Sequence, residues 1–223
     1  MQISVIIPTY RRPELLKQCL EALTQQDFPQ KDYEIVICDD GSPKETEQAA
    51  QDFIKEHPTL NIKYFFQENS GPSKARNLGI KNSQAPIVAM TDDDCQPDRD
   101  WLSQIAKSFK DEDILGVGGV TYTQKEKVTP LTSQIENNLD SSFPTCNVAY
   151  RKQILIDLSG FDENFPSTNE DIDLAWRVEK KGKLIHNPKM RVLHPPRKDS
   201  FAKEIKGVKN LEGEFFLWEK LPD

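Results

Sequence analysis

Over its first 120 residues the chain alternates short β-branched runs with segments of helical period, and polar clusters follow the runs. "ISVIIP" leads to Thr9 and Arg11, "YEIVICDD" ends in Asp39 and Asp40, "NIKYFF" precedes residues 70–76, and "PIVAMTDDD" ends in Asp92, Asp93 and Asp94. Short apolar runs bounded by turn signals read as buried strands. Between them, residues 13–26 place Leu15, Leu16, Cys19, Leu20 and Leu23 on one helical face, and further helices are expected up to about His57, in "SGPSKARNLGIKNS" and in "DWLSQIAKSF". "ILGVGGVTY" reads as a fifth strand. Strand and helix at this spacing require right-handed crossovers, which predicts an α/β fold: a Rossmann-like, mostly parallel central sheet with helices on both faces. Ligands on such sheets bind beyond the carboxyl ends of the strands, so the four polar clusters should share one rim.

Beyond residue 123 the pattern loosens. The stretch "TQKEKVTPLTSQIENNLDSSFPT" reads as a polar surface connection with room for one short helix. "CNVAYRKQILIDLSGFDE" gives a strand, a helix and a turn, "NEDIDLAWRVEKKG" a helix closed by Gly182, and "KLIHNPKMRVLH" a pair of short strands. The tail spaces Phe201, Ile205, Val208, Leu211, Phe215 and Trp218 three or four apart, beside Lys198, Lys203, Lys206 and Lys209. Such a stripe docks on its own domain or a partner chain; the alternative is peripheral membrane attachment through residues 200–220, with Phe215, Phe216 and Trp218 entering the interface.

Composition excludes several classes. A net charge of -7 over 223 residues lacks the basic field that non-specific nucleic-acid binding needs. Cys19, Cys38, Cys95 and Cys146 are scattered with no C-x-x-C pair, so neither a zinc site nor a disulfide framework is indicated, and a reducing compartment is expected. "MQISVIIPTY" is too short and too poor in flanking basic residues for a signal peptide, and no run approaches a membrane span.

Three consecutive carboxylates repel one another, and without a cation one or more would hold its proton abnormally tightly. The D-x-D spacing of Asp92 and Asp94 suits a hard divalent cation, with an acidic turn capping the helix near Asp98 as the alternative. No glycine-rich phosphate cradle follows strand one, which leaves neutralisation of a diphosphate to a metal. Asp39 and Asp40 precede a glycine turn, where a carboxylate can accept from a nucleobase imide or a ribose hydroxyl; turn formation alone accounts for one of them. Lys74 and Arg76 sit in a first helical turn, the wrong end for the macrodipole, so a ligand or a salt bridge is expected there. Glu170 and Asp171 open a helix, where capping is the alternative to chemistry. His194 is a metal ligand or a packed side chain; His57 and His186 read as structural.

With "VIIPTYRRPELL", "VICDDGSPKET", "GPSKARNLGI", "MTDDDCQPDRDWL", "GFDENF" and "NEDIDLAWRV" in that order and spacing, residues 3 to 195 resemble the family 2 glycosyltransferases with the GT-A fold. The resemblance implies a domain over residues 1–195, with a nucleotide-binding half (1–120), a small acceptor-side catalytic half (121–195) and an amphipathic tail (196–223). By the same resemblance Pro8, Thr9 and Arg11 line the nucleotide pocket, Asp40 reads the base, and Lys74 or Arg76 lies near the base or diphosphate. Asp92 and Asp93 approach the ribose or metal, Asp94 and His194 with Asp92 hold Mn2+ or Mg2+, and Asp171 of the Glu170–Asp171 pair is the general base. The implied activity is inverting, metal-dependent, non-processive hexosyl transfer from a nucleotide-diphosphate sugar, UDP-sugar favoured, to a saccharide or lipid-linked saccharide hydroxyl. Its setting would be cell-surface polysaccharide or glycolipid assembly, in the cytoplasm or peripheral at the inner face of the cell membrane, with a homodimer left open. A processive synthase is disfavoured because Q-x-x-R-W and transmembrane helices are missing. Two alternatives remain: a non-catalytic nucleotide-sugar binding protein, and a sugar-1-phosphate nucleotidylyltransferase, which needs a glycine-rich loop where this chain has "PTYRRPE".

Overall fold

The computed structural model describes residues 1–129, 132–133, 136–137, 143–165, 168–198 and 217. In chain order the elements are β1 (Ile3–Thr9), α1 (Pro13–Thr24), β2 (Tyr33–Asp40), α2 (Lys44–Glu56), β3 (Ile62–Gln67), α3 (Pro72–Asn82), β4 (Ile87–Met90), β5 (Gln96–Pro97), α4 (Trp101–Ser108) and β6 (Ile114–Tyr122). Then follow β7 (Thr132–Ser133), β8 (Val148–Arg151), α5 (Lys152–Asp157), α6 (Glu170–Glu179), β9 (Lys183–Leu193) and β10 (Arg197–Lys198).

Eight of these strands form one sheet in the order β3-β2-β1-β4-β8-β6-β9-β5, and β10 pairs with β7 apart from it. The predicted βαβ units hold: β1 runs parallel to β2 and β4, and β2 to β3. Strand β8 is wedged antiparallel between β4 and β6, which separates strands that the alternation alone would have made neighbours. Strands β1, β2 and β4 are buried on both faces, so they read as continuous apolar runs. Because side chains alternate, Ile3, Val5 and Ile7 pack with Leu16 and Leu20 of α1 and Trp101 and Ile105 of α4, while Ile6 points to the cluster holding Ala75 of α3, Leu155 of α5 and Leu174 and Val178 of α6.

The expected pair of short strands at "KLIHNPKMRVLH" is instead the single strand β9, parallel to β6 with a register shift: Gly119 faces Asn187 and the next residue, Val120, faces Arg191. The extra residues are held by Asn147, whose Nδ2 donates to the carbonyls of Val120 (2.9 Å) and Met190 (3.1 Å) while its Oδ1 accepts from Trp101 Nε1 (2.9 Å). A Cβ at Gly119 would lie 2.0 Å from the Met190 carbonyl oxygen, so the bulge requires glycine.

The polar connection carries short 3-10 turns at Lys125–Lys127 and Thr145–Asn147 in addition to β7. The expected tail helix lies outside the described residues apart from Leu217, which is helical and buried. No described helix is long and apolar enough to cross a membrane.

Candidate active site

A cleft of about 440 Å³ opens at the carboxyl ends of the strands, where the sequence placed its polar clusters. The end of β1 and the turn after it contribute Pro8, Thr9, Tyr10 and Arg12; Asp40 closes β2; Asn69 and Gly71 lead into α3, which supplies Arg76. Asp92 and Asp93 follow β4, Glu170 opens α6 and Arg197 sits on β10.

The carboxylate triplet does not cap α4, which starts from Asp100 without a side-chain cap. Each of its members meets a guanidinium. Asp92 accepts from Arg76 Nη2 at 3.1 Å, and Arg76 Nη1 reaches Glu170 at 2.8 Å. Asp93 accepts from Thr9 Oγ1 at 2.8 Å and Arg12 Nη1 at 3.0 Å. Asp94 Oδ2 meets Arg12 Nη1 at 3.2 Å and Arg197 Nη2 at 2.5 Å.

Burial pushes the Asp93 carboxyl from its ordinary 3.8 up to about 6, against the pull of Arg12. A carboxyl that holds its proton more tightly folded than unfolded favours the folded state at low pH and loses that advantage as pH climbs through the folded value. Two pKa units correspond to about 3 kcal/mol. Asp93→Asn is therefore expected to abolish a fall in stability of that order between about pH 4 and pH 6, read as the difference between wild-type and variant urea-unfolding free energies. Parallel pH profiles for the two proteins would refute it.

At the base of the cleft the two acids of "CDDGS" divide their work. Asp39 accepts from the Ser42 backbone N–H and the Tyr64 hydroxyl, both at 2.7 Å, and so builds the turn. Asp40 accepts from Gln67 Nε2, Asn69 Nδ2 and the backbone N–H groups of Ser70 and Gly71, which gives each oxygen two bonds and fixes the loop into α3. Gly41 follows at φ 86°, where a Cβ would stand 2.6 Å from the Asn69 nitrogen.

Two predicted pocket residues lie elsewhere. Arg11 has a left-handed φ of 57°, is exposed, and stacks over Tyr10 with its guanidinium carbon 5.0 Å from the ring centroid. That turn sends the next residue, Arg12, inward instead, and no sequence signal separates two adjacent arginines. Lys74 is exposed and does not line the cleft, because two helical steps turn it about 200° from buried Arg76. Tyr10, Asn69 and Arg197 are further lining groups that the sequence did not single out.

Helix α6 presents Glu170 and Asp171 from a first turn that also holds Asp173, a charge arrangement favoured by the helix dipole. Asp173 pairs with Arg177, which also donates to the carbonyls of Leu158 and Gly160 at 2.9 Å and so ties α6 to the end of α5. The two acids differ in environment. Glu170 is buried against Arg76. Asp171, half-buried, accepts from the backbone N–H groups of Ile172 and Thr145, and burial raises its affinity for a proton above the ordinary carboxylate range, against the pull of Arg76.

His194, at the end of β9, is fully buried with Nε2 3.6 Å from Asp94 Oδ1. Arginine can only donate, so the 3.0 Å contact between Arg197 Nη2 and His194 Nε2 puts the imidazole lone pair on Nε2 and its hydrogen on Nδ1, 3.2 Å from the Pro195 carbonyl. Asp94, Cys95 and His194 bring a carboxylate oxygen, a sulfur and a ring nitrogen within 4.8 Å of one another. A hydrogen bond with Cys146 and burial hold Cys95 as the thiol, which leaves one oxygen and one nitrogen as ligands. That donor set fits a single divalent cation and favours Mn2+ over the oxygen-seeking Mg2+. Asp92, engaged by Arg76, is not part of this group.

Residues 4–162 match the family described as Glycosyl transferase family 2. The chain is 31% identical over 184 residues to Glycosyltransferase AglE of Haloferax volcanii, covering 78% of this chain and 59% of that protein. It spans about half the length of the curated relatives it matches. Its fold superposes on the mannosyltransferase PcManGT from Pyrobaculum calidifontis, solved with GDP-Man and Mn2+, at a TM-score of 0.81 and 21% identity over 100% of this chain and 65% of that one. TarS of Staphylococcus aureus with UDP-GlcNAc gives 0.71 at 21% identity over 95% of this chain and 66% of that one.

Proposed function

The chain belongs to glycosyl transferase family 2, and from that premise we propose that it moves a sugar, with inversion and without processivity, from a nucleoside-diphosphate sugar to an acceptor hydroxyl. The observation that carries this reading is the meeting of Asp94 with His194 Nε2 beside a cleft that is lined by Asp92, Asp93 and Arg197 and by Glu170, the neighbour of Asp171 in the first turn of α6. Asp171, more basic than an ordinary aspartate, takes the acceptor proton as the hydroxyl attacks the anomeric carbon opposite the leaving diphosphate, and one in-line displacement inverts that carbon. Bound at Asp94 and His194, Mn2+ would offset the charge of the departing nucleoside diphosphate.

The remaining residues orient the donor. Arg76, desolvated and fixed between Asp92 and Glu170, presents fixed positive charge to the cleft. Asp40 serves the base end by holding the loop of Asn69 and Gly71 in place, and Tyr10 offers a half-exposed ring beside that loop on which a base can stack. We favour a UDP-sugar as donor and a saccharide or lipid-linked saccharide of a cell-surface polymer or glycolipid as acceptor.

Calorimetric titration with UDP, GDP and dTDP, each with and without Mn2+, tests the site. UDP is expected to bind in a Mn2+-dependent way, and Asp94→Ala to weaken that binding by about 100-fold, as expected for loss of a charged metal ligand. Wild-type protein that binds no nucleotide under any of these conditions would sink the reading.

A further inference from the structure

Arg197 holds the atoms that a divalent cation would need. Its Nη2 touches Asp94 Oδ2 and lies 3.0 Å from His194 Nε2, so the guanidinium and a cation shared by those two side chains exclude each other by contact and by charge. Among the described residues its strand, β10, pairs with β7 and not with the main sheet. The same side chain lines the cleft, and its Nε is buried with no hydrogen-bond partner among the described residues. A buried guanidinium N–H without an acceptor is costly, and the planar fork of arginine matches the oxygens of a phosphate.

Resting on the reading of this site as a donor cleft, we propose that Arg197 is an exchangeable counter-ion and a diphosphate-binding residue. In the free protein it neutralises Asp94 and caps the His194 lone pair. When a divalent cation takes Asp94 and His194, the guanidinium is released into the cleft, where its unused N–H groups bind the diphosphate of the donor. Cation and nucleotide are thereby coupled through one side chain, and the coupling is reciprocal: each tightens the other. Cation alone binds weakly because it must evict Arg197. Nucleotide alone binds weakly because Arg197 is occupied by Asp94.

The experiment compares wild type with Arg197→Gln and Arg197→Lys. Binding of Mn2+ alone is followed by the loss of its free-ion paramagnetic resonance signal. Binding of UDP or GDP, whichever wild type takes, is followed by calorimetry at saturating Mn2+, and the matching nucleoside by ligand-observed NMR. Arg197→Gln is expected to bind Mn2+ alone about tenfold more tightly, the nucleoside diphosphate about tenfold more weakly, and the nucleoside as wild type does, in line with one charge-assisted contact moved from one partner to another. Arg197→Lys, which keeps the charge and loses the fork, is expected to fall between them. If wild type binds both Mn2+ and nucleotide but Arg197→Gln binds Mn2+ no more tightly, or loses nucleoside and diphosphate alike, the proposal is overturned while the reading of the cleft stands. Wild type that binds neither overturns both.

Discussion

Replacing Asp171 by asparagine is expected to lower kcat by about a thousandfold, within the range general-base catalysis contributes, while the affinity for nucleoside diphosphate and Mn2+ stays within about twofold because nothing that binds the donor is removed. The substitution keeps size and shape. It also keeps an oxygen to accept from the Ile172 and Thr145 backbone N–H groups that orient Asp171, so the helix start should survive. What disappears is the ability to take a proton. Glu170 cannot substitute, because its carboxylate is buried and committed to Arg76 at 2.8 Å. Steady-state transfer measured beside calorimetric donor binding separates the two effects, and an Asp171→Asn enzyme with wild-type kcat would remove the general-base assignment.

The second large effect concerns stability. Arg76 is the sole cation that the structure pairs with Glu170 among the described residues, and both side chains are buried. Removing one partner of such a pair leaves an uncompensated charge in a poorly solvated place, which costs about 3–5 kcal/mol. Arg76→Leu is therefore expected to lower Tm by on the order of 10 °C. The double change Arg76→Leu with Glu170→Leu should recover most of that loss, because an apolar pair of similar volume has no charge to desolvate. Urea unfolding of the three proteins checks it, and a single variant as stable as wild type would show that water reaches Glu170 and that the pair is not a buried one. Arg76 also holds Asp92, so donor binding should fall in both variants even where stability returns.

Much of this site was legible in the order of residues. Each polar cluster followed an apolar run, and the carboxyl-end rule was enough to gather Thr9, Asp40, Arg76 and Asp92 around one cleft. The reading failed where two residues of like chemistry stood close together. Arg11 and Arg12 differ only in that Arg11 takes a left-handed turn; Lys74 and Arg76 differ only in which side of α3 faces the sheet. Strand β8 was read as a strand, but its insertion between β4 and β6 depends on pairing with segments some 30 to 60 positions earlier in the chain, roughly beyond the span over which periodicity carries information.

The sequence by itself determined the alternation of strands and helices, the apolar face of the first helix and the rim on which the acids stand, because these follow from side-chain spacing within a few neighbouring residues. Tertiary structure alone decided which cation meets which acid. Arg12, Arg76 and Arg197 come from three distant parts of the chain to the triplet at Asp92, Asp93 and Asp94. Charge attraction acts through space within the fold and takes no account of order along the chain, so the partner of a buried carboxylate is fixed only when every packed element is in place.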